Sequence, residues 1–245
     1  MSPDDRVVEI GPGRGALTAH LIDRARELWL IELDPALLGP LREKFAGRDR
    51  LHLIHADAMR FPFSQIPAPF KVVANLPYAV ASPLLIHLLE VRRSISRMVL
   101  MFQREVAERL TAEPGSRRYG LLTVLARLYA DVTLELIVSP GSFRPPPKVE
   151  SAVVTVMPRT EPRIPLDEEA QFLRLVRRGF AHRRKTLLNN LRHSALPDGP
   201  TPLTAEQAVV LLRRADIDPV RRPETLGIED WARLSRACSA LGLMV

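Results

Sequence analysis

The 245-residue chain holds a single cysteine, Cys238. That excludes an internal disulfide and leads us to expect a reducing, cytoplasmic setting. No apolar run approaches the roughly 20 residues needed to span a bilayer. No basic stretch followed by an apolar core marks a secretory leader. His20, His52, His55, His87, His182 and His193 lack metal-ligand spacing, and one cysteine adds little, so no metal site is expected. Internal repeats and low-complexity tracts are missing as well. The length allows one domain of ordinary size and a smaller one. Hydrophobic residues, at 46%, suffice for a packed core. An excess of 35 Lys and Arg over 28 Asp and Glu gives a formal charge of +7, which suits a polyanionic partner.

Four segments of the amino-terminal half carry the chemistry. Residues 7–10 read as an apolar strand, followed at once by Gly11-Pro12-Gly13-Arg14-Gly15 and then by a helix-like run over 16–22. Strand, glycine turn and helix form the context in which such a turn holds a nucleotide. A second strand, 28–33, contains Glu32, which lies 21 positions after Gly11. An acid at that distance can hold both ribose hydroxyls of a nucleoside. Asp34 is expected to face solvent or to cap the helix that starts at Pro35. The third strand, 51–55, runs into Asp57, whose carboxylate can accept from an adenine amino group or serve as a loop or cap residue.

The fourth strand is the short apolar run 72–74, and Asn75-Leu76-Pro77-Tyr78 follows it. The Asn75 side-chain oxygen and the Leu76 carbonyl can accept from an exocyclic amine in the plane of a base. Pro77 has a fixed φ and no N–H, and so steadies the carbonyl before it. Tyr78 offers a face on which an extruded base can stack. In an open α/β sheet all four junctions converge on one edge.

The segments VVEIGPGRGALT, IELD, HADAM, NLPY, SFRPPPKVESAVV and FAHRRKTLLNNL together resemble the ribosomal RNA adenine dimethyltransferases over residues 7 to about 192. The last two are much more specific than the glycine turn. The resemblance implies an α/β, Rossmann-like class I methyltransferase sheet with a small all-α carboxy-terminal domain. It implies S-adenosyl-L-methionine as cofactor and N6,N6-dimethylation of two adjacent adenosines in a hairpin near the 3′ end of small-subunit rRNA, within a pre-ribosomal subunit. Gly11, Gly13, Glu32, Asp57 and Asn75 become the cofactor-contacting positions, and Asn75, Leu76, Pro77, Tyr78 and Phe143 surround the target base. The family also implies an upstream segment bearing Gln-Asn-Phe-Leu that folds over the cofactor, whereas only six residues precede the first strand here. Two other readings follow: a large-subunit rRNA adenine methyltransferase of the resistance type, and a non-catalytic RNA-binding assembly factor, the latter motivated by the amino end.

Further along, helices are expected over 83–91, 103–111 and 120–129, a fifth strand over 97–102, and an antiparallel pair over 131–138 and 152–157. Three prolines stiffen the connection beside Phe143 and Lys148. A boundary is expected at 158–166, dividing the chain into a cofactor-binding domain, 1–160, and a helical RNA-binding domain, 166–245. Helices should cover 168–180, 183–192, 204–214 and 229–241, with Thr204 and Gln207 forming a capping box. Arg177, Arg178, Arg183, Arg184 and Lys185 make the densest basic cluster, a face for RNA phosphates or a solvated helix surface. Arg117, Arg118 and Lys148 are further candidates for RNA contact. A monomer is expected.

Overall fold

A computed structural model of the protein describes residues 1–75, 78–165, 169–195 and 200–244. Its chain folds as two units, one of residues 1–108 and 129–160, the other of residues 109–128 and 161–245.

The first unit is built on seven strands: β1 (Arg6–Ile10), β2 (Glu27–Glu32), β3 (Leu51–His55), β4 (Phe70–Asn75), β5 (Ile95–Gln103), β6 (Ala130–Val138) and β7 (Ser151–Pro158). They lie in the order β3-β2-β1-β4-β5-β7-β6. The pairs among β1 to β5 are parallel, while β7 runs antiparallel to both β5 and β6. Parallel neighbours need crossovers. These carry α1 (Thr18–Leu21), α2 (Pro35–Lys44) and α3 (Tyr78–Glu90). From β1 the chain steps outward through β2 to β3, then returns to place β4 on the other side of β1. The carboxyl ends of β1 and β4 therefore flank a topological switch point, where open sheets bind ligands. Apolar strands such as β1 are buried almost throughout, and Val7, Leu28 and Leu30 pack with Leu21 and Ala25 from the α1 region.

Local rules place several elements where the sequence predicts them. Asp34 caps α2, its Oδ1 accepting from the Ala36 N–H at 2.9 Å, with Pro35 at the first helical position. β3 spans the predicted residues. Others differ. α1 is only four residues long, because the glycine turn and its exit take up residues 13–17. α3 begins at Tyr78 rather than at Pro83, and the proline lies inside its second turn.

The second unit holds α4's last residues, α5 (Leu121–Tyr129) up to Leu128, and α6 (Glu169–Gly179), α7 (Leu187–His193), α8 (Ala205–Arg214) and α9 (Ile228–Ala240); α4 itself spans Arg104–Leu110. Residues 109–128, expected with the sheet, group instead with these helices. The reason is packing: Tyr119 is fully buried with its ring 6.3 Å from Phe180, and the Arg163 N–H donates to the Leu128 carbonyl. α6 and α9 approach closely at Gly179, where an added Cβ would stand 2.3 Å from the Trp231 ring. The predicted capping box of α8 is present, with Thr204 and Gln207 each bonding the other's backbone N–H.

Candidate active site

At the end of β1 the chain must turn sharply over the sheet edge. Gly11, Gly13 and Gly15 all have positive φ, 67°, 58° and 73°, a region that other residues enter only under strain. The Gly11 N–H donates to the Ile31 carbonyl at 2.9 Å, which ties the turn to β2. Glu32 closes β2 and is only 6% exposed. Its Oε2 accepts from the Gly13 N–H at 3.1 Å and its Oε1 from the Asp34 N–H at 2.9 Å. Two backbone donors thus fix the carboxylate, and each oxygen keeps a further lone pair for a ligand.

Asp57 follows β3 and is half-buried, its Oδ1 accepting from the Met59 N–H at 2.9 Å. The loop reading and the site reading both apply, since Asp57 also lines the cavity. Asn75 ends β4 with an exposed side chain. These junctions enclose a cavity of about 440 Å³ whose wall includes Gly11, Gly13, Glu32, Asp57 and Asn75. Five residues from four segments, singled out in the sequence, therefore meet in one place. Leu76 and Pro77 lie outside the described residues. Tyr78 opens α3, and its side chain also lies outside the description. Phe143 is half-buried after a short 3-10 turn, its N–H donating to the Pro140 carbonyl, and it is not among the described residues lining the cavity.

Sequence reasoning missed the apolar wall. Leu33, Met59 and Val80 are large exposed apolar side chains, 64%, 37% and 42% exposed, and all three line the cavity. The available signal was position, because Leu33 directly follows Glu32 and Met59 comes two residues after Asp57. Also missed was Glu9, 2% exposed under the turn, with the Thr18 hydroxyl donating to its Oε2 at 2.7 Å. Burial pushes its carboxyl up to about 7 against the pull of the Thr18 hydrogen bonds, and the charge of Glu32 adds to the rise.

The basic cluster of the helical unit divides. Arg177 is exposed, but Arg178 is fully buried, its guanidinium donating to the carbonyls of Pro200 and Thr201. Helical spacing explains this correction: Phe172, Leu175, Val176 and Gly179 are buried on the same face of α6. Arg183, Arg184 and Lys185 are exposed in a turn, not on a helix, since α7 begins at Leu187 behind a Thr186 cap. Buried Asn190 anchors that turn through both backbone groups of His182, at 3.0 and 3.1 Å. Arg183 donates to the carbonyls of Arg117 and Tyr119, which brings Arg117 and Arg118 beside the turn. Lys148 is exposed on the sheet unit.

Among the described residues no cluster of three or more His, Cys, Asp or Glu could hold a metal ion, and no helix is long and apolar enough to cross a membrane. The profile of a family described as "Ribosomal RNA adenine dimethylase" matches residues 1–232. The chain is 44% identical over 247 residues to the ribosomal RNA small subunit methyltransferase A of Geobacter metallireducens, covering 99% of this chain and 88% of that protein. It is 40% identical over 238 residues to the protein of that name from Clostridium botulinum, covering 96% and 84%. Among solved structures, a dimethyladenosine transferase from Plasmodium falciparum superposes with a TM-score of 0.81 at 27% identity, covering 100% of this chain and 93% of that one. The 23S rRNA methyltransferase ErmE gives 0.70 at 28% identity, covering 98% and 93%. With glycine turn, acids and asparagine all placed at the switch point of such a sheet, the chain belongs to the ribosomal RNA adenine dimethylase family.

Proposed function

We propose that this protein uses S-adenosyl-L-methionine to dimethylate, at N6, two adjacent adenosines in the 3′-terminal hairpin of small-subunit rRNA within an assembling subunit. One observation carries the reading. Glu32, Asp34 and Asp57 line the cavity, and no basic side chain stands among the described residues that do. A dinucleotide would bring a pyrophosphate into that acidic setting, whereas a nucleoside bearing a cationic sulfur fits it. The free lone pairs of Glu32 would take the ribose hydroxyls, and Asp57 the adenine amino group. Leu33 and Met59 would cover the faces of the ring.

The bound cofactor supplies an electrophilic methyl group whose leaving group is a neutral thioether. The chain therefore needs no acid for departure, and we assign no general base. Its task is orientation. The amide oxygen of Asn75 and the carbonyl of Leu76 would accept from the target amine, aiming its lone pair and favouring the charge that develops on nitrogen. Tyr78 and Phe143 would hold the extruded base. On the helical unit, Arg117, Arg118, Arg183, Arg184 and Lys185 would meet RNA phosphates, with Lys148 as a further contact on the sheet unit.

The test is methyl transfer to ribosomal subunits that lack the modification, read by mass spectrometry of the released nucleosides. N6,N6-dimethyladenosine in small-subunit rRNA is the expected product. Modification of large-subunit rRNA alone would favour the activity named for ErmE. Cofactor binding without product on either subunit would favour an assembly factor.

A further inference from the structure

The glycine turn is gripped from two sides, and only one grip is explained by the cofactor site. On the β2 side its N–H groups are held, Gly11 by the Ile31 carbonyl and Gly13 by the Glu32 carboxylate. On the other side its carbonyls are held by Lys44, the last residue of α2. Lys44 Nζ donates to the Arg14 carbonyl at 2.9 Å and to the Gly15 carbonyl at 3.2 Å. These partners lie 30 and 29 residues away in sequence, so the contact is tertiary. The same ammonium stands 5.3 Å from the centre of the Phe45 ring. Phe45 and Leu41 in turn press on the turn itself: a Cβ at position 15 would stand 2.6 Å from the Phe45 ring and 3.1 Å from Leu41. The end of α2 is therefore seated against this loop by backbone hydrogen bonds and by side-chain packing.

From this geometry we infer that Lys44 is a positioning residue for cofactor binding: it fixes the peptide planes at Arg14 and Gly15 and so holds the glycine turn in the shape the cofactor meets. The inference rests on the S-adenosyl-L-methionine reading above. The turn is three left-handed glycines in five residues, and such a stretch has many accessible shapes when unrestrained. Rotation of either held plane would shift Gly13, whose N–H meets the carboxylate of Glu32. Lys44 is an exposed residue, so losing its ammonium does not open the core. A lysine suits the task because its three donors can serve two carbonyls from one point. Nothing in the role requires contact with the cofactor.

Lys44→Met keeps the apolar stem and removes the donors, and Lys44→Arg restores donors on a different head. In Lys44→Met the dissociation constant for S-adenosyl-L-methionine, measured by calorimetry, should rise roughly three- to tenfold. The turnover number at saturating cofactor should stay within about twofold of wild type, as expected when only binding is affected. Amides of the peptide spanning residues 11–19 should exchange hydrogen faster without cofactor, which reads the loop apart from activity. Lys44→Arg should recover most of the affinity. Unchanged affinity and exchange in Lys44→Met would overturn the inference. So would lost affinity with unchanged exchange, because Lys44 would then act on the cofactor directly. If wild type bound no S-adenosyl-L-methionine, the cofactor reading would fall and this inference with it.

Discussion

The cavity at the sheet edge and the basic turn before α7 are both candidate sites, but they are specified in different ways. The cavity is specified by backbone. Each of its polar side chains ends or follows a strand, and the register of parallel strands brings those ends together. The basic turn is specified by charge, and charge alone does not say which side chains face water. Arg177 and Arg178 are identical neighbours in sequence, yet one is exposed and the other fully buried. Position along a regular element locates a site more reliably than local composition does.

The largest effect expected is at the acceptor position. Asn75→Ala should reduce methyl transfer by roughly 10²–10³-fold or more, the range for losing one oriented polar partner at a reacting centre. RNA affinity should stay within a few-fold, because the amide orients an amine and does not hold the phosphate backbone. Transfer at the wild-type rate would remove Asn75 from the site.

Arg178 and Arg184 sharpen the contrast next. Arg178→Ala leaves the carbonyls of Pro200 and Thr201 without these donors and opens a cavity, so it should cost roughly 2–4 kcal/mol of stability. Arg184→Gln, on the surface, should change stability by less than about 0.5 kcal/mol. Denaturant titration reads both. Equal costs would mean that burial does not separate these two arginines.

The two buried acids of the sheet edge differ in the same physical terms. Glu32 has two backbone donors from separate segments and is 6% exposed, whereas Glu9 is 2% exposed, takes both its hydrogen bonds from Thr18, and feels the charge of Glu32. With its folded-state pKa raised from 4.5 to about 7, Glu9 keeps a proton that the unfolded chain releases. Stability should therefore fall as pH rises through that window and level off above it, by roughly 2–4 kcal/mol from this group. Glu9→Gln should flatten the decline, as measured by denaturant midpoints across the window. An unchanged slope would assign the titration elsewhere. Glu32→Ala should weaken S-adenosyl-L-methionine binding by roughly 1.5–3 kcal/mol. Unchanged affinity by calorimetry would shift the ribose role to Asp34, which also lines the cavity.

Strand ends, the Asp34 cap and the Thr204–Gln207 box were legible because each follows from a few adjacent residues. Residues 109–128 were not, since their grouping depends on partners such as Phe180, far along the chain. The place of Glu9 was hidden for a related reason. Its burial is plain from the strand, but the pairing with Thr18 and the nearness of Glu32 are three-dimensional facts. The apolar wall of Leu33, Met59 and Val80 escaped notice because exposed apolar side chains look ordinary until a cavity gathers them.

The smallest effect, and the one that decides what the basic turn does, is on salt dependence. Arg183 also donates from one guanidinium nitrogen to the carbonyls of Arg117 and Tyr119, so substituting it would disturb the neighbouring loop as well as remove charge. Arg184 and Lys185 are exposed beside it. Replacing just these two with Gln isolates the electrostatic contribution. If each meets one phosphate, the slope of log affinity against log salt should fall by about 1.4–1.8 units, according to how duplex-like the RNA is. Affinity should drop alike for RNAs of similar shape, since phosphate contacts position a ligand without reading its sequence. Calorimetry should find S-adenosyl-L-methionine binding unchanged, because its proposed ligands belong to the sheet unit. An unaltered slope on folded protein would make the turn a solvated surface, and the search for the RNA face would move to Arg117, Arg118 and Lys148.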